Sequence, residues 1–262
     1  MYPYPLFLNV NLYTVCLSVA IVLALFLCDH LTQKRGFSIA LQKLVIVDIL
    51  LSIVLGLGSA VLFQAFYDYL KTGVFQLAEN TGMTFLGGLI GGTFVYLLVW
   101  FLGGKLCLKG ENQGEEKRKF NDMLDIAACC IPLAHGIGRL GCFFAGCCHG
   151  QETDAWFGVK MLTEGGWKTV VPVQLYEAIF LFLLAGVLLW LFYKNKPILP
   201  LMPIYCGIYG IWRFFIEYAR ADDRGSSFIS FLSPSQLTSL FLILIAVSYL
   251  YIFFKKKINK NF

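Results

Sequence analysis

Two arginines, Arg139 and Arg213, lie inside long apolar stretches of this chain. A charge at the centre of a membrane-spanning helix costs about 2.5–3.5 kcal/mol on insertion scales, so each marks a candidate site. Guanidinium is always charged and presents a planar fork of donors that matches phosphate oxygens, which makes a lipid head group the natural ligand. Arg139 sits in Gly136-Ile137-Gly138-Arg139-Leu140-Gly141, where the flanking glycines leave room for a ligand or a bent backbone. The same run fits a loose Gly-x-Gly-x-x-Gly dinucleotide pattern, but no strand precedes it and that reading fails. The structural alternative for Arg139 is an ion pair with Glu177 or Asp125. Arg213 precedes Glu217 by four residues, an ion pair that would neutralise a helix end. Arg before Glu is the weaker order for an isolated helical pair, which favours a role set by tertiary neighbours.

Soft and titratable groups gather between Cys129 and His149. Cys129-Cys130, Cys142 and Cys147-Cys148-His149 form the densest such cluster, with His135 one helical turn before Arg139 on the same face. Zinc needs better-separated pairs, and adjacent cysteines point in different directions on a helix, so small apolar packing residues are the favoured reading and no metal is assigned. A redox thiol and a metal or heme site are the alternatives. Gly87-Gly88-Leu89-Ile90-Gly91-Gly92 carries two overlapping Gly-x-x-x-Gly spacings, read as close helix packing. Asp48, toward the cytoplasmic half of a span, and His30, in a loop, are read as satisfied structural groups.

The elements that must position these residues follow from composition. With 58% hydrophobic and 14% charged residues and a mean hydropathy of +0.71, the chain is a membrane protein. Its apolar runs of about 18–22 residues suit spanning helices and exclude a β-barrel. Seven spans are predicted, at about 10–28, 44–66, 84–104, 126–145, 173–193, 198–217 and 235–254. The fold class is therefore all-α, a polytopic integral membrane protein, organised as a single domain over 1–262. Met1 is followed by Tyr2-Pro3-Tyr4-Pro5 without a basic region, so the first apolar stretch is expected to stay as a span. The nine cysteines are expected to be free thiols.

Lys and Arg alternate between loops, 14 on one side against 5 on the other, which predicts the N-terminus outside and the C-terminus cytoplasmic. The net charge of +5 is spread through short loops, so nucleic acid is not a partner. In this orientation Arg139 lies roughly 9 Å from the outer end of its span. Arg213, Glu217, Gln174-Leu175-Tyr176-Glu177, Phe85-Leu86-Gly87-Gly88 and Tyr13 also fall in the outer half of the membrane.

Three ordered blocks then resemble a known family. Gly138-Arg139-Leu140-Gly141, continuing to Gly146 and Gly150, is similar to the Gly-Arg-x-Gly block of the phosphatidylglycerol–prolipoprotein diacylglyceryl transferases of bacterial plasma membranes. Pro172-Val173-Gln174-Leu175-Tyr176-Glu177 resembles the family's Pro-x-Gln-Leu-Tyr-Glu block, and Tyr209 to Glu217 resembles its Tyr-Gly-x-x-Arg-Phe-x-x-Glu block. Asp125 stands at the expected distance before Arg139.

The resemblance implies a multi-pass enzyme of the bacterial inner membrane with no cofactor. Its partners would be phosphatidylglycerol, the lipobox peptide of a preprolipoprotein and the lipid bilayer. It would transfer an sn-1,2-diacylglyceryl group to the lipobox cysteine thiol, form a thioether and release glycerol 1-phosphate. Arg139 and Arg213 would hold the phosphate, with Glu217 orienting Arg213. Tyr13 and Tyr209 would offer hydroxyls, Gln174, Tyr176 and Glu177 would support the site, and Gly138, Gly141 and Gly150 would shape the backbone.

The chain also departs from the family. Leu86 stands where His usually precedes Gly-Gly, Cys142 where Asn is usual, Cys147 where Glu is usual, and Val171 where His often precedes Pro. Leucine takes no proton from a thiol. Either His135 or His149 serves as base, or the clamped phosphate leaves without one, or the chain is a divergent homologue that transfers lipid to another acceptor. His135 is the candidate base. A thiol-rich membrane protein binding metal or heme, and a transporter or scaffold, are the readings from other classes.

Overall fold

The computed structural model describes residues 10–75, 77, 84–163, 166–194, 200–221 and 231–259. The Tyr2-Pro3-Tyr4-Pro5 segment and residues 198–199, which open the sixth predicted span, lie outside these. Helices dominate: α1 (Leu12–Lys34), α2 (Ile39–Thr72), α3 (Phe85–Leu98), α4 (Gly104–Cys107), α5 (Glu115–Arg118), α6 (Phe120–Ala145), α7 (Val173–Tyr193), α8 (Leu201–Ile216) and α9 (Pro234–Ile258). A π-helical turn, Val99–Gly103, joins α3 to α4.

Six helical stretches among the described residues are long and apolar enough to cross a membrane, and the protein is an all-α polytopic membrane protein. The remaining predicted span forms α8, whose 16 residues rise about 24 Å, short of the roughly 30 Å of hydrocarbon. His30, expected in a loop, belongs to α1, which runs further than the apolar stretch alone indicates.

The chain divides into two compact units, Asp29–Met123 and the remainder. Within Asp29–Met123, α2 packs along α3 because glycine removes the side chains that would hold them apart. A Cβ added at Gly87 would meet Phe63 at 2.4 Å, one at Gly91 would meet Ser59 Oγ at 2.2 Å, and one at Gly56 would meet the Gly92 Cα at 3.2 Å. Ser59 Oγ also donates to the Gly87 carbonyl at 2.9 Å, an interhelical bond that satisfies a hydroxyl without water. Ser38 caps α2 by accepting from Leu41 N, and Gly73 ends it in the left-handed conformation with its N–H on Tyr69 O. Asp48 is fully buried in α2, and its Oδ1 accepts from Ser52 Oγ at 3.3 Å. Its Oδ2 is buried without a partner among the described residues, so the group is only half satisfied, which the sequence reading did not expect.

The other unit contains the first part of α1 with α6 to α9. Asp125 does not pair with Arg139. Its Oδ1 accepts from Leu201 N at 2.7 Å and so caps the start of α8. The 146–172 connection carries an element absent from the sequence reading, an antiparallel hairpin of β1 (Val159–Thr163) and β2 (Gly166–Val170) with Val159 opposite Val170. Met161 and Val170 point inward while Lys160, Trp167 and Thr169 point out, the two-residue period of a half-buried strand. Residues 149–153 lie beside the end of β2, and bridges join Glu152 to Val170 and Gly150 to Arg220. α9 starts with a capping box in which Ser233 and Gln236 satisfy each other's backbone N–H groups.

Candidate active site

Glu177, one turn into α7 and fully buried, is the centre of a charged cluster. Arg139 Nε of α6 pairs with its Oε2 at 2.9 Å, and Tyr209 of α8 donates its hydroxyl to Oε1 at 3.1 Å. His135 Nε2 lies 3.8 Å from the same Oε1, and its ring meets Tyr209 edge-on at 5.3 Å. Arg220 Nη1 stands 3.8 Å from Oε2. Arg213 is also within electrostatic reach of Glu177.

The second carboxylate, Glu217, extends this cluster. Arg213 Nη2 pairs with its Oε2 at 2.7 Å, and Arg220 Nε lies 4.0 Å from the same oxygen. Two serines at the start of α9 complete the surroundings. Ser233 donates to Glu217 Oε1 at 2.8 Å, and Ser235 Oγ accepts from Arg213 Nη2 at 3.0 Å. Three guanidinium groups and two carboxylates thus share one site, each carboxylate bridging two arginines. This arrangement holds buried charges of both signs, which singly would be costly.

Arg139 is tied to Glu177 through Nε, and its terminal nitrogens make no hydrogen bond among the described residues. Its side chain keeps 13% exposure, and a Cβ added at the neighbouring Gly138 would meet nothing within 4 Å. The fork of Arg139 is therefore unengaged among the described residues, the condition for receiving an anion.

On the other side of Arg139 lies a turn of thiols. The Sγ atoms of Cys142, Cys147 and Cys148 all fall within 4.8 Å of one another. The α6 helix stops at Ala145, Gly146 takes φ +74°, and Cys148 takes φ +60°, the one positive φ outside glycine among the described residues. Gln174, fully buried at the start of α7, anchors this turn by donating to the Cys147 carbonyl at 2.6 Å. Hydrogen bonds from the Cys142 and Cys147 thiols, then the guanidinium groups of Arg220 and Arg139, hold the Cys148 thiol well below its usual range. Hydrogen bonding with Cys142 and Cys148, then burial, pushes the Cys147 thiol up. His149 Nδ1 faces the Gly150 carbonyl at 2.9 Å.

Of the residues singled out from sequence, His135, Arg139, Glu177, Tyr209, Arg213 and Glu217 meet in the charged cluster. Tyr13 and Gly141 stand together beside the thiol turn, for a Cβ at Gly141 would lie 3.2 Å from the Tyr13 ring. Tyr13 is also within electrostatic reach of the three cysteines and Arg139. No hydrogen bond or ion pair joins the Tyr176 side chain to the cluster among the described residues. Three contributors were missed: Arg220, Ser233 and Ser235. Arg220 had a signal, because Arg213, Glu217 and Arg220 fall at i, i+4 and i+7.

Gly150 explains how Arg220 is held. The Gly150 N–H bonds to Val171 O and the next N–H, of Gln151, bonds to Ala219 O at 3.1 Å. A Cβ on Gly150 would stand 2.6 Å from the Ala219 carbonyl oxygen and 2.6 Å from Val173 Cγ2. Gly150→Ala is therefore expected to destabilise the protein by about 1–3 kcal/mol through overpacking. Thermal unfolding of the purified variant measures it, and an unchanged midpoint would contradict the close approach.

Comparison with known proteins adds an independent line. The family described as prolipoprotein diacylglyceryl transferase matches residues 4–252. A phosphatidylglycerol–prolipoprotein diacylglyceryl transferase of Clostridium tetani is 33% identical over 249 residues, covering 90% of this chain and 90% of its own. A second protein of that name from Clostridium perfringens, numbered 2, is 39% identical over 172 residues, covering 63% of this chain and 60% of its own. One from Acinetobacter baumannii is 27% identical over 261 residues, covering 96% and 91%.

Proposed function

The chain belongs to the prolipoprotein diacylglyceryl transferase family, and on that membership we propose that it moves the sn-1,2-diacylglyceryl group of phosphatidylglycerol onto the lipobox cysteine of a preprolipoprotein. The observation that carries the reading from family to site is the Arg139 fork, paired through Nε and otherwise available, in a cluster with Arg213 and Arg220.

The sulfur attacks the glycerol carbon that bears the phosphate. A carbon–sulfur bond forms, the carbon–oxygen bond breaks, and glycerol 1-phosphate departs with the electron pair and one more negative charge than the diester carried. Donors already aimed at that oxygen stabilise the growing charge without reorganising, which is how an arginine clamp accelerates the step. Glu177 holds Arg139 and Arg220 in place, and Glu217 holds Arg213. His135, against Glu177 and Tyr209, takes the thiol proton. Gln174, Gly141 and Gly150 fix the backbone, while Tyr13, Tyr176 and Gly138 border the substrates.

The same reading places the protein in the bacterial plasma membrane with its N-terminus outside. The cluster draws on the end of α6, the start of α7, the end of α8 and the start of α9. Those ends share one side under the loop-charge count, the side on which a translocated lipobox emerges.

Complementation of a transferase-depleted bacterium tests the proposal. The expected result is growth together with a diacylglyceryl mass gain on a reporter lipoprotein. Correct membrane insertion without that mass gain would overturn it.

A further inference from the structure

We propose that Cys142, Cys147 and Cys148 bind a zinc ion whose fourth position receives the acceptor thiol, so that the metal generates the sulfur nucleophile. This rests on the transferase reading and deepens it: with Leu86 where the family's His stands, the metal makes the acceptor thiol acidic enough to give up its proton, which His135 receives.

The geometry is that of a three-ligand site. Zinc–sulfur bonds of about 2.3 Å put tetrahedral sulfurs about 3.8 Å apart. The three Sγ atoms already lie within 4.8 Å of one another, so small rotamer changes bring them to that spacing. Two sequence arguments stand against zinc: the chain lacks two well-separated pairs, and neighbouring cysteines diverge on a helix. A three-cysteine site with an open fourth position needs no second pair, which leaves the divergence. It does not apply to Cys147-Cys148, which stand after the end of α6 in a turn with positive φ at Gly146 and Cys148. That turn is fixed without metal. Gln174 holds the Cys147 carbonyl, and a Cβ at Gly146 would come within 2.5 Å of Leu162 O in β1. Cys147 is exposed, which leaves one side of the cluster open to an incoming ligand.

Charge and position agree. Three thiolates on a divalent ion carry one net negative charge, and a fourth adds another. Arg139 and Arg220 are within electrostatic reach of Cys148 and offset it. His135, Arg139 and Cys142 follow one another at i, i+4 and i+7 along α6, so the metal sits beside the phosphate clamp. A thiol that coordinates zinc is deprotonated outright. Its proton leaves on coordination to His135. The zinc-held sulfur attacks the glycerol carbon, the carbon–oxygen bond breaks, and the thioether, a poorer ligand than thiolate, leaves the metal.

The test uses the full-length protein purified under reducing conditions, loaded with zinc and dialysed, then with cobalt(II) in its place. The expected results are one zinc retained per chain, none in C142S, C147S or C148S, and sulfur-to-cobalt charge-transfer absorption that grows when a lipobox peptide with cysteine, but not serine, is added. Failure to retain zinc, retention of copper(I) alone, zinc retention unaltered by the three substitutions, or a spectrum indifferent to the peptide overturns the proposal. Transfer at an undiminished rate after chelation also overturns it while leaving the transferase reading intact. Peptide-dependent absorption without any lipidated product would support the metal site and sink the transferase reading instead.

Discussion

Glu177→Gln is expected to destabilise the protein by about 3–5 kcal/mol, the cost of breaking a buried ion pair by removing one partner. Glutamine keeps the shape but leaves Arg139, at 2.9 Å, without its counter-charge and weakens the environment of Arg220. The residue is fully buried, so water does not take over the role of the carboxylate. Reversible unfolding in detergent measures the loss. Adding Arg139→Met to the same chain should recover part of it, because the uncompensated cation then disappears. The recovery is partial, since Arg220 and the Tyr209 hydroxyl also depend on Glu177. A single-variant loss below about 1 kcal/mol, the range of an exposed pair, would show that the cluster is solvated.

The second large effect is on rate. Arg139→Lys keeps the charge but replaces a planar fork by a point charge, and the two are not interchangeable where phosphate is held by paired donors. Lysine can still reach Glu177, so folding should survive, whereas the donors aimed at the departing phosphate are lost. The expected result is a fall in kcat of about 10²–10³, the cost of removing a preorganised donor, with Arg139→Gln falling further. Initial rates in proteoliposomes containing phosphatidylglycerol give the comparison. A lysine variant as fast as the parent would mean that Arg139 acts only as a structural partner of Glu177.

Hydropathy made the long helices legible because it measures the cost of inserting each stretch. α7 begins and ends where the apolar run does, Val173–Tyr193. The same cost flagged Arg139 and Arg213, since buried guanidinium requires partners. It could not reveal Arg220, which lies past the last apolar turn and was counted as a loop charge. Its burial comes from backbone threading, through the bridge to Gly150, and that pairing joins residues 70 apart in sequence. The hairpin that supports this threading is short and only half-buried, a weak signal beside the spans. The arrangement of the cysteines at 147 and 148 was not legible for a related reason. Their side-chain directions follow from two positive φ angles that composition does not encode. The glycines of α3, by contrast, were readable as packing residues because small-residue spacing on an apolar helix has one common use.

Product analysis of the purified protein with phosphatidylglycerol and a cysteine-containing lipobox peptide is the most direct measurement. A guanidinium clamp that serves thiol alkylation predicts a diacylglyceryl thioether on the peptide and glycerol 1-phosphate in equal amounts, both nearly abolished by Arg139→Gln. Folded protein that yields neither product, or an Arg139→Gln variant that yields both as fast as the parent, would contradict it.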